Sequence, residues 1–267
     1  MGRATAASPA AQRLGRFTCR NGMGVRIVLA LLIPTALAAQ QGTITYTYSH
    51  RHGFEIPEDW KDEIPDAETR SMVLRFSPAE SRMAPAPPED DVSQLSNRWR
   101  DRLQRLKTRS ASRGDLEVVR DAWVSYAEGA AVETREFFGR NFRVSGPPPA
   151  YAWRLTSEQA EHLGRLVMKA TAEHDGTSTE AWFTPEIPVS GGPGAYGGLP
   201  GMILVLSLDG GRAQYFATEI VLGEVDAGLI RAPEDGDDVS REEYEEIVED
   251  KLDELGQLYG RRGGGRE

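Results

Sequence analysis

Apolar and polar residues alternate along several short segments of this chain. In Gly42–Tyr48, the residues Ile44, Tyr46 and Tyr48 alternate with threonines. An alternation with a period of two is typical of a strand that buries one face. Looser alternation of the same kind predicts further strands over 70–78, 116–129, 132–146, 166–172, 181–184 and 212–222.

One segment, Met202–Leu208, is apolar at nearly every position, which predicts a strand covered on both faces. Asp209–Gly211 then turns the chain toward a partner strand. The pair Asp175 and Gly176 supplies a second turn, because these residue types tolerate positive φ. Strands joined by such short turns form an antiparallel meander and not βαβ units.

Two segments space their apolar residues at helical intervals. The first, Val92–Leu106, belongs to a proline-rich and helical insertion predicted near 84–115, which begins with an exposed linker over 84–91. The second lies near the C-terminus, where Ser240 and Glu243 match a capping box. Its apolar positions are Tyr244, Ile247, Val248, Leu252, Leu255 and Leu258.

Together these elements predict an α+β fold that is mainly β. We expect a curved antiparallel sheet of about eight to eleven strands. It would resemble a half-barrel, with one or two packed helices that include the C-terminal amphipathic helix. A helix that closed the concave face would leave an apolar pocket between helix and sheet. The predicted divisions are an N-terminal extension over 1–38, a β domain over 39–232, and a C-terminal helix with a disordered tail over 233–267.

Within the N-terminal extension, Met23–Gln40 has the layout of a secretory signal peptide. Arg26 precedes an apolar run, Ile27–Ile33, and the small residues of Ala36–Ala38 follow as a cleavage site. A buried core helix is the alternative interpretation. The run is too short for a membrane span, which needs about 20 apolar residues. We expect Met23 to be the true start. The mature chain would then be exported to the periplasm or outer membrane of a Gram-negative bacterium, without a transmembrane segment.

The charge of the chain disfavours polyanionic partners. Five of the 31 basic residues and none of the 41 acidic residues lie within 1–38, which leaves 26 basic and 41 acidic residues after them. So acidic a chain repels phosphate backbones and anionic lipid surfaces, and we expect no nucleic-acid partner. The single cysteine, Cys19, lies in the N-terminal part, so the mature chain has no disulfide.

The segment Ser190–Leu206, called the Gly-Pro segment below, holds six glycines and two prolines. Glycine permits positive φ, and proline fixes φ at about −65°. The segment therefore favours one defined turn into the strand at Met202. The alternative is a loop that binds a ligand or partner through its backbone amides. A phosphate-binding loop is disfavoured, because such a loop carries a lysine and precedes a helix.

Residues around this segment are the candidates for binding. Trp182, Phe183 and Tyr196 could form a sugar or peptide platform, and packing over proline rings is the alternative. Glu186 could act as a general base if buried, or accept hydrogen bonds from the glycine amides. We predict no catalytic residue. The candidate ligand- or partner-binding residues are Trp182, Pro185, Glu186, Pro193, Tyr196, Gly198, Leu199, Pro200 and Gly201.

The four histidines do not predict a metal site. His50 and His52 would share one face of a strand, but no third ligand stands at a diagnostic spacing. The sequence also has no G-x-S-x-G turn and no cysteine–histidine pair. We therefore predict neither a metal nor a cofactor.

The block Ala181–Leu204 resembles the signature of the GLPGLI family, a group of exported bacterial proteins. It reads Trp182-Phe183-Thr184-Pro185, Glu186-Ile187-Pro188, Gly192-Pro193 and Gly198-Leu199-Pro200-Gly201, with Met202 where the family name has Leu. The chain differs at Val167, where family members often carry a cysteine. The resemblance implies an exported, envelope-associated, mainly β protein without an established activity.

These observations favour a non-catalytic binding or carrier module for a hydrophobic or peptide ligand. One alternative is a structural or interaction protein of an outer-membrane complex, which would use the Gly-Pro segment or the C-terminal helix. The other alternative is a hydrolase that uses Glu186.

Overall fold

The computed structural model describes residues 40–87, 97–110, 113–174 and 176–263. Five predicted features lie wholly or partly outside these ranges. They are the N-terminal extension with the signal peptide over 1–38, the second half of the linker over 84–91, the first part of the helix over 92–106, Asp175 of the predicted turn, and the end of the C-terminal tail.

Strands dominate the described residues. They are β1 (Gly42–Arg51), β2 (Ala67–Phe76), β3 (Glu80–Pro85), β4 (Glu117–Ser125), β5 (Ala130–Phe137), β6 (Arg140–Gly146), β7 (Arg154–His162), β8 (Arg165–His174), β9 (Thr177–Thr184), β10 (Met202–Leu208), β11 (Ala213–Leu222) and β12 (Asp237–Ser240). The α-helices in these ranges are α1 (Asn97–Ser110), α2 (Arg113–Leu116) and α3 (Arg241–Gly263). Short 3₁₀ turns lie at Glu58–Trp60, Asp209–Gly211 and Ala227–Leu229.

All the described strands join one curved, 12-stranded sheet in the order β12-β6-β5-β4-β3-β2-β1-β11-β10-β9-β8-β7. Neighbouring strands are antiparallel, except that β12 runs parallel to β6. The predicted α+β, mainly β class is confirmed. The sheet has one strand more than the largest number expected.

β1 joins two meanders at the middle of the sheet, because it pairs with β2 on one side and with β11 on the other. Its residues Ile44, Tyr46, Tyr48 and His50 share one face, which we call the inner face. Ile44 and Tyr46 are completely buried. The hydroxyl of Tyr46 donates a hydrogen bond of 2.5 Å to the backbone oxygen of Ile203, which ties β1 to β10.

The Gly-Pro segment packs against the inner face of the sheet. Ile187 precedes it by three residues and forms one buried cluster with Leu199, Ile44 and Tyr46. The backbone N–H of Met202 donates to the oxygen of Ile187 at 3.0 Å. The loop between β9 and β10 therefore fills part of the space that the curved sheet encloses.

The C-terminal helix α3 begins at the predicted capping box. The hydroxyl of Ser240 accepts from the N–H of Glu243 at 3.1 Å, and the carboxylate of Glu243 accepts from the N–H of Ser240 at 2.8 Å. Tyr244 and Val248 then pack with Phe142 and its neighbours on β5 and β6. Within the described ranges, none of the helices combines the length and the apolar character that a membrane crossing requires.

Three local predictions are wrong. The single strand expected over 132–146 is a hairpin, because Phe138 and Gly139 take positive φ values of 51° and 80° and reverse the chain. The segment expected as a linker from Ala84 begins inside β3. The helix expected to end at Leu106 continues to Ser110, since polar residues do not by themselves stop a helix.

Candidate functional site

A cavity of about 420 Å³ lies inside the curve of the sheet. β1 and β11 line one part of it, and β4 and β5 line another with Glu117 and Arg135. Its volume is within the range of small-ligand sites, about 300–1,000 Å³. We call it the tyrosine cavity, after Tyr48, Tyr151, Tyr196 and Tyr215 in its lining.

The four tyrosines form two ring pairs. The ring centroids of Tyr48 and Tyr215 are 4.7 Å apart, and those of Tyr151 and Tyr196 are 5.3 Å apart. Burial raises the pKa of Tyr48 and that of Tyr151 to about 12, and it also raises the pKa of Tyr196 and of Tyr215. All four side chains are therefore neutral phenols at pH 7, which can both donate and accept hydrogen bonds.

Two of these hydroxyls have no partner within the described part of the chain. Tyr215 is only 7% exposed, and no described residue forms a hydrogen bond with its hydroxyl. The hydroxyl of Tyr48, the cross-strand partner of Tyr215, likewise forms no hydrogen bond with a described residue. Neither hydroxyl oxygen is among the fully enclosed side-chain atoms that lack a partner, so solvent or a ligand can reach both. Both hydroxyls are thus available to a molecule inside the cavity.

Arg135 of β5 holds two carboxylates beside the cavity. It forms ion pairs with Glu117 and, at 2.9 Å, with Glu133. Burial alone would lower the pKa of Arg135, but the charges of Glu133 and Glu117 outweigh it and raise that pKa well above the usual value. The guanidinium stays charged, and its position is fixed by both partners.

Further side chains complete this ionic network. Arg113 of α2 pairs with Glu117 at 2.6 Å, and Arg241 of α3 pairs with Glu133 at 3.0 Å. Burial raises the pKa of Glu117, but the charges of Arg135 and Arg113 lower it to about 2. Each of these charges has an opposite charge within the protein. An ion in the cavity would have to compete with these internal pairs.

His50 also lines the cavity and is only 6% exposed. Its Nε2 has no hydrogen-bond partner among the described residues. Burial lowers the pKa of His50, and burial likewise lowers the pKa of His52 two residues later. The described residues include no group of three or more histidine, cysteine or acidic side chains placed to hold a metal ion.

The lining of this cavity differs from the apolar pocket that we expected between a helix and the sheet. β4 and β5 place Glu117, Glu133 and Arg135 in the lining, and α2 adds Arg113 and Gly114. The long helix α3 packs at the β5–β6 end of the sheet instead. Loops and α2, and not an amphipathic helix, therefore complete the cavity wall.

Of the candidate binding residues, the structure brings Tyr196 to the tyrosine cavity. The other candidates lie in the Gly-Pro segment or in the residues just before it. Leu199, Pro193 and Gly201 are buried, whereas Pro185, Pro200 and Gly198 are exposed. Trp182 lies apart from them, where its indole N–H donates to Glu180 at 3.0 Å and its ring is near the Lys169 ammonium group.

Glu186 does not have the surroundings that either interpretation of it requires. The residue is exposed, it pairs with Arg165 at 3.0 Å, and it accepts from the backbone N–H of Leu166 at 3.1 Å. The condition of burial for a general base is not met, and the alternative, hydrogen bonds from the glycine amides, is absent among the described residues. The carboxylate instead connects the start of the loop to β8.

Sequence reasoning missed most of the cavity. Tyr48, Tyr151 and Tyr215 were not candidates, and neither were Glu117 and Arg135. The only local signal was the alternation in β1, which placed Tyr48 on the buried face. The other residues meet through pairings of distant strands, which a single sequence does not disclose.

Residues 149–205 match the family model described as "Protein of unknown function (Porph_ging)". The match covers Tyr151 and the Gly-Pro segment as far as Val205, including Tyr196, and it supports a family of uncharacterised bacterial proteins. Its description does not use the name GLPGLI. No curated protein matches the chain.

Two solved structures of PNGF-II, in the P21 and C2 space groups, are similar in outline to this chain. Each has a TM-score of 0.48 and 15% sequence identity over 80% of the chain. The chain covers 34% and 33% of their respective lengths, so it spans about a third of each of these structures.

Proposed function

We propose that this protein is an exported, non-catalytic binding module, and that its ligand is a short uncharged peptide segment held in the tyrosine cavity. The observation that carries this proposal is the pair of hydroxyls of Tyr48 and Tyr215, which have no hydrogen-bond partner among the described residues and belong to cross-strand neighbours on β1 and β11. A peptide group offers one donor and one acceptor, which matches two phenols that can each do both.

The lining supports a peptide over a purely hydrophobic ligand. Hydroxyls and ion pairs would lose hydration against a wholly apolar molecule without gaining hydrogen bonds, and such losses are unfavourable. The ring faces still offer apolar area to side chains or to the planar peptide group. The compensated charges around Arg135 favour a ligand without net charge.

Export rests on the signal-peptide layout of Met23–Gln40. We propose the periplasm or the outer membrane as the location. The supporting features are the charge, apolar run and small-residue site in that order. Detection of the mature chain in the periplasmic or membrane fraction would support it. Recovery of the full-length chain from the cytosol alone would contradict it.

A pool of blocked tripeptides, Ac-Gly-Xaa-Gly-NH₂ with every uncharged residue at Xaa, tests binding directly. The protein should retain members of the pool, and calorimetry should then give their affinities. Tyr215→Phe removes one available hydroxyl and should weaken binding about 3- to 10-fold, as expected for one hydrogen bond.

Tyr46→Phe is the matched control. Tyr46 lies on the same face of β1 as Tyr48, but its hydroxyl is already bonded to Ile203 and it does not line the cavity. This variant should keep the affinity of the parent protein. Failure of the parent protein to retain any peptide at millimolar concentration would contradict the proposal.

A further inference from the structure

A second cavity, of about 400 Å³, adjoins the tyrosine cavity. Four residues line both spaces: Pro149, Tyr151, Ala195 and Tyr196. The stacked rings of Tyr151 and Tyr196 therefore border both spaces. We call the second space the proline cavity, after Pro148 and Pro149 in its lining.

No charged residue lines the proline cavity among the described residues. Besides the four shared residues, its lining consists of Val124, Ser125, Tyr126, Gly129, Pro148, Ala150, Ser190, Gly197 and Gly198. The lining of the tyrosine cavity, in contrast, includes charged residues, although the two cavities share four lining residues.

Each polar side chain that lines only the proline cavity has a hydrogen-bond partner within the protein. The hydroxyl of Tyr126 donates to Ser81 at 2.8 Å. The hydroxyl oxygen of Ser190 accepts from the N–H of Gly198 at 3.2 Å, and that of Ser125 accepts from a backbone N–H at 3.2 Å. An apolar group can therefore fill this space without leaving those hydroxyls unbonded.

We infer that the proline cavity is a subsite for one apolar side chain of the peptide whose backbone lies in the tyrosine cavity. This inference rests on the proposed function and adds a specificity to it. The four shared lining residues put the two spaces next to each other, so that neighbouring groups of one peptide can occupy both. The uncharged lining selects an apolar side chain over a charged one.

The test compares Ac-Gly-Ala-Gly-NH₂, Ac-Gly-Phe-Gly-NH₂ and Ac-Gly-Glu-Gly-NH₂ by calorimetry. Burial of the aromatic ring should make the Phe peptide bind at least about 10-fold more tightly than the Ala peptide. The Glu peptide should bind no more tightly than the Ala peptide, because its carboxylate has no partner in the proline cavity.

Ala150→Trp then fills the proline cavity from its exposed rim, since Ala150 lines that cavity but not the tyrosine cavity. It should abolish the preference for the Phe peptide and change the affinity for the Ala peptide less than about twofold. Ala152→Trp is the matched control, because Ala152 is also exposed and lines neither cavity. It should keep the preference.

The results separate this inference from the proposed function. If the Ala and Phe peptides bind equally well, or if the preference persists in Ala150→Trp, the subsite is wrong while the tyrosine cavity remains a binding site. If none of the peptides binds the parent protein, the proposed function itself is wrong. Unchanged affinity for the Ala peptide in Ala150→Trp also shows that this variant is folded.

Discussion

A Cβ atom added to Gly201 would lie 2.2 Å from the backbone oxygen of Thr184. This contact joins the last residue of β9 to the residue before β10, and Gly201 itself takes a φ of 156°. The Gly-Pro segment can therefore enter β10 along this path only because residue 201 has no side chain.

Gly201→Ala should destabilise the fold by at least about 2 kcal/mol, because the added methyl group collides with rigid backbone and not with a movable side chain. Urea unfolding measures this loss. Gly256→Ala is the control, since Gly256 lies in α3 with nothing within 4 Å of an added Cβ. It should stabilise the protein by about 0.5–1 kcal/mol. An unchanged free energy of unfolding in Gly201→Ala would contradict the close approach of residue 201 to the Thr184 oxygen.

Arg135→Ala should destabilise the protein by up to about 3–5 kcal/mol, because the buried carboxylates of Glu117 and Glu133 lose their shared partner and keep only Arg113 and Arg241. Arg120→Ala, on β4, removes an arginine that is half exposed and paired with Glu136. That variant should lose about 1 kcal/mol or less. Similar losses in the two variants would show that the network around Arg135 is not the stronger one.

Acidification should destabilise the fold as His50 and His52 take up protons. Burial holds both folded-state pKa values below the unfolded value of about 6.5. The unfolded chain therefore binds more protons, and stability falls as the pH drops from about 6.5 toward the folded pKa values. The free energy of unfolding, measured between pH 7 and pH 5, should decrease more steeply in the parent than in the double variant His50→Gln/His52→Gln. Equal pH slopes in the parent and the double variant would contradict the assignment of this destabilisation to the two histidines.

Ser240→Ala should cost about 1 kcal/mol, because it removes the hydroxyl that accepts from the N–H of Glu243 at the start of α3. Thermal unfolding followed by circular dichroism measures the change. Ser178→Ala, at an exposed position on β9, should remain within about 0.5 kcal/mol of the parent. An unchanged melting temperature in Ser240→Ala would show that the capping box contributes little.

Local patterns predicted much of the fold. The unbroken apolar run of β10 indicated a strand covered on both faces, and Met202 and Leu206 are in fact completely buried. The capping box at Ser240 indicated where α3 begins. These features depend on residues that are close in sequence, so a single sequence contains them.

The candidate site could not be predicted in the same way. Tyr48 and Tyr215 are cross-strand partners only because β1 pairs with β11, at the opposite end of the chain. Glu117 meets Arg135 only through the packing of β4 with β5, where a register shift also intervenes. Long-range pairing and register decide both contacts, and neither leaves a short sequence signature.

The position of a bound peptide is the most direct measurement. A crystal structure of the protein with the tightest-binding blocked tripeptide should place a peptide N–H or C=O within hydrogen-bonding distance of the Tyr215 and Tyr48 hydroxyls. A peptide that lies elsewhere on the protein, with both hydroxyls in contact only with solvent, would contradict the assignment of the tyrosine cavity as the binding site.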